Sequence, residues 1–63
     1  MKWIDTGDIA QALIDKFPDS DPLQILLPDL KRMVMGLQGF DDDPNRSDQK
    51  ILSAIQTVWS ERR

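Results

Sequence analysis

Apolar residues recur at the three- and four-residue spacing of a helical face in three separate segments of the chain. The first stripe consists of Ile9, Ala10, Leu13, Ile14 and Phe17. Asp5 is placed to cap the start of this helix, and Ile4 is placed to pack against Ile9 as a hydrophobic staple. Pro18 disfavours helix at the residue before it, so the spacing predicts a first helix that ends near Phe17.

The second stripe consists of Leu30, Met33, Val34 and Leu37. Pro28 and Asp29 suit the first turn of this helix, and Gly39 suits the left-handed position that follows a helix. The third stripe consists of Ile51, Leu52, Ile55, Val58 and Trp59. Ser47 is its predicted N-cap, with Asp48 placed favourably against the helix dipole.

The connector from residue 18 to residue 28 is long for a regular helical bundle. Its apolar run, residues 23–27, is predicted to lie as an extended piece along the core. The pattern therefore predicts one all-α domain over residues 1–63, with three short helices in a modified winged-helix or helix-turn-helix-like arrangement.

Composition limits what such a domain can do. The chain has 63 residues, so it buries only about 60% of the surface of its unfolded form, and its four aromatic residues are predicted to serve the core. It has neither cysteine nor histidine, so thiolate chemistry, imidazole catalysis and the commonest transition-metal ligands are excluded. No glycine-rich phosphate loop is present, and the carboxylates belong to no pocket-forming segment. We therefore expect that the protein is not an enzyme.

Negative charge is concentrated in the first two-thirds of the chain. Residues 1–43 hold nine aspartates against four basic residues, a net charge of −5, whereas residues 44–63 carry +2. Such a surface repels nucleic acid and anionic membrane and attracts basic protein surfaces or cations. No membrane span or signal peptide is visible in the sequence. The expectation is a soluble, cytoplasmic monomer.

Three consecutive carboxylates, Asp41, Asp42 and Asp43, stand between Phe40 and Pro44. Mutual repulsion means that such a triplet needs solvent, a cation or a basic partner. An EF-hand that starts at Asp41 is excluded, because its sixth and twelfth positions are Arg46 and Leu52 instead of glycine and glutamate.

A different cation site remains open for the triplet. Oxygen ligands suit Mg²⁺, Ca²⁺, Mn²⁺ or Fe²⁺, with weak affinity for Fe²⁺ in the absence of histidine and cysteine. The candidate metal ligands are Asp8, Asp41, Asp42 and Asp43. For Asp5 and Asp19, capping and turn roles are favoured over metal binding.

An ordered set of residues along the whole chain matches a known pattern. The set is Lys2, Trp3, Asp5, Asp8, Ile9, Ala12, Leu13, Asp15, Pro18, Asp19, Asp21, Pro22, Asp29, Leu37, residues 40–44, Ser47, Lys50, Ile51, Leu52, Ala54, Ile55 and Trp59. In this set the chain resembles the IscX family, small acidic accessory proteins of bacterial iron–sulphur cluster assembly. The chain departs from the family at Gly36, Gln38 and Gly39, where members often carry further acids.

The resemblance implies that an acidic face docks on the cysteine desulfurase IscS, in a region for which frataxin and ferredoxin compete. The face implied here consists of Asp5, Asp8, Asp15, Asp19, Asp21, Asp41, Asp42 and Asp43, and the triplet is predicted to be its centre. It also implies weak ferrous iron binding and no tightly bound cofactor. Three hypotheses follow: a regulator that docks on the desulfurase, an iron donor whose metal site is primary, and an acidic mimic of nucleic acid.

Overall fold

Three α-helices and two short 3₁₀ turns make up the regular structure, and no β-strand is present. The computed structural model describes residues 1–63. Helix α1 spans Thr6–Lys16, α2 spans Leu27–Met35 and α3 spans Gln49–Arg62, with the 3₁₀ turns at Pro22–Gln24 and Pro44–Arg46. The all-α prediction is therefore confirmed, and the second half of each long connector contains a 3₁₀ turn.

Ten apolar side chains form the buried core, and all three helices contribute to it. They are Trp3, Ile9, Ala10, Leu13, Leu30, Val34, Leu37, Leu52, Ile55 and Trp59. Both tryptophans are almost fully buried, as predicted, while Phe17 and Phe40 pack against the edge of the cluster. Helix α1 packs mainly on α3, and α2 packs chiefly on α3. None of the three helices combines the length and apolar character that a membrane crossing requires.

Helix α1 starts after the predicted N-cap residue, but neither the predicted capping hydrogen bond nor the predicted staple is formed. Asp5 is the N-cap residue, and its backbone carbonyl accepts a hydrogen bond from the Ile9 amide at 2.9 Å. Its carboxylate, however, accepts from the amide of Lys2 at 2.9 Å and not from a helix amide. Ile4 is 80% exposed, so the predicted staple with Ile9 is wrong.

Helix α2 ends earlier than its apolar stripe. The last helical residue is Met35, and the amide of Leu37 donates to the carbonyl of Val34 in a tight turn. Gly39 has a φ of +88°, so it occupies the predicted left-handed position, but in the turn that follows the helix. The stripe continues into this turn because Leu37 remains buried there.

Helix α3 is capped by Asp48 and not by Ser47. The Asp48 carboxylate accepts from the amide of Ile51 at 2.8 Å, which is typical of an N-cap. The hydroxyl of Ser47 instead donates to the carbonyl of Pro44 at 3.1 Å. The predicted cap is therefore wrong by one residue.

The apolar run at residues 23–27 is extended only at Ile25 and Leu26, which join the first 3₁₀ turn to α2, so the predicted extended piece is wrong for the rest of the run. Pro22 is fully buried at the start of the first 3₁₀ turn, but Leu23 and Leu26 are 66% and 70% exposed. Ile25 and Leu27 are partly buried against the core. Because successive side chains of extended backbone point to opposite sides, Ile25 packs against the core while Leu26 faces solvent.

Candidate functional site

The acidic triplet is held by the first three residues of the chain. The amide of Asp41 donates to the carbonyl of Met1 at 3.0 Å, and the amide of Trp3 donates to a carboxylate oxygen of Asp42 at 3.0 Å. The indole N–H of Trp3 donates to the carbonyl of Asp43 at 2.7 Å. We call this arrangement of residues 1–3 against residues 39–43 the N-terminal clasp.

Aromatic packing reinforces the clasp from the core side. The rings of Trp3 and Phe40 meet edge to face, with 4.7 Å between their centroids and 70° between their planes. Trp3 is almost fully buried and Phe40 is partly buried. The loop that carries the triplet is therefore anchored to the core through Trp3 and Phe40.

Two cations of the same chain face the Asp41 carboxylate. The amino group of Met1 lies 3.1 Å from one carboxylate oxygen, and Nζ of Lys2 lies 3.3 Å from the other. Hydrogen bonds from the amino group and from Lys2 lower the pKa of Asp41 below its ordinary value of 3.8. Lys2 also donates to the backbone carbonyl of Asp41 at 2.8 Å.

Backbone amides occupy the other two carboxylates of the triplet. Asp42 accepts from the amides of Trp3 and Asp43, at 3.0 and 2.7 Å, and these hydrogen bonds lower its pKa, the bond from Trp3 most. Asp43 caps the second 3₁₀ turn, because its carboxylate accepts from the amide of Asn45 at 2.9 Å. All three acids therefore have structural roles, and Asp41 alone of them has its charge matched by an ion pair.

The acids of helix α1 differ from Asp41 of the triplet because no basic group of the chain pairs with them. Asp8 and Asp15 are exposed, and neither forms an ion pair with a basic group of the chain. The contact that Asp15 makes is a hydrogen bond from the side-chain amide of Gln11 at 3.3 Å. Seven residues separate the two acids, so they lie on the same side of the helix about two turns apart.

The remaining predicted acids divide between structural and free positions. Asp5 is half-buried and bonded to the amide of Lys2, so it belongs to the base of the clasp. Asp21 caps the first 3₁₀ turn and lies 3.3 Å from the guanidinium of Arg63. Asp19 is exposed and forms no ion pair.

The eight predicted acids do not meet in one ligand cluster. No group of three or more acidic side chains is arranged so that it could hold a metal ion. The triplet carboxylates point to different partners: two cations for Asp41 and backbone amides for Asp42 and Asp43. Ferrous iron binding by Asp8, Asp41, Asp42 and Asp43 stays a prediction.

Sequence reasoning missed the contribution of the first residues. Lys2 and Trp3 contact the triplet across about forty positions of sequence, and no local periodicity reports such a pairing. The available signal was chemical: a triplet of acids requires donors, and Lys2 supplies charge and amide donors near the start of α1.

Comparison with known proteins identifies the family to which the chain belongs. A family model described as iron–sulphur cluster assembly matches residues 1–63, the whole chain. An uncharacterized protein of Pseudomonas aeruginosa is 44% identical over 63 residues, which cover 100% of this chain and 96% of the relative. These matches support a role in iron–sulphur cluster assembly and agree with the resemblance to the IscX family. The chain belongs to the iron–sulphur cluster assembly family.

Proposed function

We propose that this protein is a non-catalytic regulator of iron–sulphur cluster assembly that docks an acidic face on the cysteine desulfurase and modulates sulphur transfer. Family membership supports the process, and the resemblance to the IscX family supports the choice of partner. In this proposal frataxin and ferredoxin compete for the same region of the desulfurase.

The observation that carries the proposal is the pair of free acids on α1. Asp8 and Asp15 are exposed, carry no intramolecular ion pair and share one side of a helix. A rigid row of uncompensated charge attracts a basic surface at long range and fixes the orientation in which the two proteins meet. Asp19, just beyond the end of α1, extends the same charge.

The acidic triplet is expected to contribute less to this docking than the acids of α1. Asp41 already faces two cations of its own chain, so a basic partner gains less from it than from an unpaired acid. Asp43 remains exposed while it caps the second 3₁₀ turn. The proposed face is therefore centred on α1, and the triplet serves mainly to hold the N-terminal clasp.

Neither surface groove favours a catalytic alternative. Each measures about 440 Å³, and each is lined by a single carboxylate, Asp42 in one and Asp48 in the other. Both carboxylates already accept backbone amides, Asp42 from Trp3 and Asp43, and Asp48 from Ile51, so neither is a free base facing its groove. This distribution supports an interaction protein over an enzyme.

The experiment is desulfurase binding by interferometry, at about 20 mM and about 300 mM salt. We expect the association rate of the unaltered chain to fall with salt, and the pair Asp8→Asn and Asp15→Asn to lower it at least about tenfold at low salt. The control is Glu61→Gln, an exposed acid at the end of α3 that belongs neither to the α1 face nor to the connector, compared with each single α1 variant. Absence of binding by the unaltered chain at low salt would overturn the proposed function.

A triple variant, with Asp→Asn at positions 41, 42 and 43, separates docking from folding. Because these acids hold the clasp, we expect a loss of stability larger than the loss of affinity measured on the fraction that remains folded. Circular dichroism gives the first quantity and interferometry the second. A large loss of affinity in a fully folded triple variant would instead place the triplet at the centre of the face.

Ferrous iron binding is a separate and weak property in this proposal. Anaerobic titration with Fe²⁺ and with Mg²⁺, with and without desulfurase, measures it. Because candidate ligands such as Asp8 face the basic partner in this proposal, we expect a weak Fe²⁺ affinity that falls in the presence of the desulfurase. Equal affinity for the two ions would show that no selective iron site exists.

A further inference from the structure

Two leucines project from the connector between α1 and α2. Leu23 is 66% exposed and Leu26 is 70% exposed, in a chain that buries only eleven residues. Isolated apolar side chains on a surface are ordinary. These two stand three positions apart in one short connector, and the backbone that carries them is fixed in place.

Several contacts make this segment rigid. Pro22 is fully buried, and the side-chain amide of Gln56 on α3 donates to the carbonyls of Pro22 and Ile25, at 2.6 and 3.1 Å. The Asp21 carboxylate accepts from the amide of Leu23 at 3.0 Å, and the carbonyl of Leu26 accepts the first hydrogen bond of α2. The leucines are therefore held outward in the free protein, so binding through them costs little ordering entropy.

Charge around the leucines selects the kind of partner. Residues 17–30 contain three aspartates and no lysine or arginine. Arg63 and Arg32 lie 3.3 and 3.6 Å from Asp21 and Asp29 in exposed contacts, so Asp19 is the one acid of the segment whose charge no ion pair offsets. A basic protein surface with an apolar depression complements this segment.

The same charges argue against two other occupants. An anionic lipid surface would be repelled by the aspartates. A second copy of the chain would bring the unpaired charge of Asp19 on each copy into one interface with no free basic group of the segment to offset it. The basic protein partner is the occupant that the observations favour.

We infer that Leu23 and Leu26 form the apolar anchor with which this protein inserts into its basic partner, while the acids of α1 steer the encounter. The inference rests on the proposed function and adds to it the residues that determine how long the complex lasts. Buried apolar anchors dominate dissociation rates, whereas charges at the edge of an interface act mainly on association.

The test compares Leu23→Ser with Leu26→Ser against a matched pair of exposed apolar residues elsewhere, Ile4→Ser with Met35→Ser. We expect the leucine pair to weaken desulfurase binding at least about tenfold, through faster dissociation and equally at low and high salt. We expect the control pair to stay within about twofold. A second variant, Leu23→Met with Leu26→Met, keeps the apolar surface and is expected to keep the affinity.

Three results would overturn the inference. If the chain binds and the α1 variants behave as expected, but the leucine pair binds like the unaltered chain, the anchor is refuted and the proposed function stands. If the unaltered chain does not bind, both fail. If sedimentation shows a dimer that the serine pair converts to a monomer, the leucines serve a second copy of the chain. Unchanged urea midpoints in both serine pairs confirm that each variant is folded.

Discussion

Asp42 shows how a charged residue becomes structural at the scale of a single side chain. Its carboxylate accepts two backbone amides, from Trp3 and Asp43, at 3.0 and 2.7 Å. Such hydrogen bonds stabilise the ionised form and lower its pKa. In the sequence the triplet looks like more negative charge than a turn requires. In the structure each of its residues accepts a hydrogen bond from Met1 or Trp3, about forty positions away.

Acid is expected to weaken the fold through this residue. Because the pKa of Asp42 is lowered on folding, its charged form stabilises the protein above the ordinary value of 3.8, and this contribution is lost as the pH falls through the lowered pKa. We expect Asp42→Asn to be less stable than the unaltered chain near neutral pH and to lose less stability between about pH 6 and about pH 3. Urea unfolding at both values measures this, with Asp19→Asn as the charge-matched control. An unchanged pH dependence in Asp42→Asn would contradict the assignment.

Trp3 is expected to contribute more to stability than its volume alone explains. Its indole donates to the carbonyl of Asp43 at 2.7 Å, whereas Trp59 is equally buried and makes no comparable hydrogen bond. Trp3→Phe and Trp59→Phe remove the same atoms, so the difference between them isolates the hydrogen bond. We expect Trp3→Phe to cost about 1 kcal/mol more in free energy of unfolding. Equal urea midpoints for the two variants would show that the hydrogen bond contributes nothing.

At the scale of elements, the apolar spacing predicted all three helices and most of the core. Local chemistry predicted the caps less well, because Ser47 and Asp48 are adjacent and both suit an N-cap. The carboxylate of Asp48 reaches the amide of Ile51, and Ser47 is engaged by the carbonyl of Pro44. The clasp was not predictable from local pattern at all, because it depends on a pairing that only the packed helices bring about.

The cap of α3 gives a direct test of this distinction. We expect Asp48→Ala to lower the free energy of unfolding by about 1 kcal/mol, since it leaves the amide of Ile51 without its acceptor. Ser47→Ala is expected to cost less, because it loses one exposed hydrogen bond. Thermal unfolding followed by circular dichroism compares the two. A larger effect for Ser47→Ala would restore Ser47 as the cap.

The turn after α2 gives a second matched pair. Gly39 has a φ of +88°, which a residue with a Cβ adopts only under strain, whereas Gly36 has a right-handed φ of −86°. We expect Gly39→Ala to destabilise the protein by about 1 kcal/mol and Gly36→Ala to be neutral or stabilising. A Cβ on Gly36 would meet its neighbours no closer than 3.6 Å. Urea unfolding distinguishes the variants, and equal effects would contradict the backbone argument.

At the scale of the whole molecule, stability rests on a small core shared by three helices. A domain of this length is stable by only about 3–9 kcal/mol, in proportion to its residues. Ile55 is fully buried on α3, the helix against which α1 and α2 both pack. Loss of this side chain leaves a cavity at the helix on which both of the others pack.

Ile55→Ala is therefore expected to lower the free energy of unfolding by about 2–5 kcal/mol, a large part of the total stability. Thr57→Ala, at an exposed position of the same helix, is expected to change stability by less than about 0.5 kcal/mol. Far-ultraviolet circular dichroism with urea unfolding measures both. A loss below about 1 kcal/mol would mean that the core tolerates the cavity by collapse.

The indole of Trp3 also gives the molecule a built-in optical probe. Its N–H donates to the carbonyl of Asp43, in the loop that carries the acidic triplet, and its ring is almost fully buried. In a Trp59→Phe background, fluorescence comes from this one indole, and its emission maximum reports whether water reaches the loop. A ligand that pulls the triplet outward would shift the emission to longer wavelength, whereas one that binds only α1 or the connector leucines would leave it unchanged.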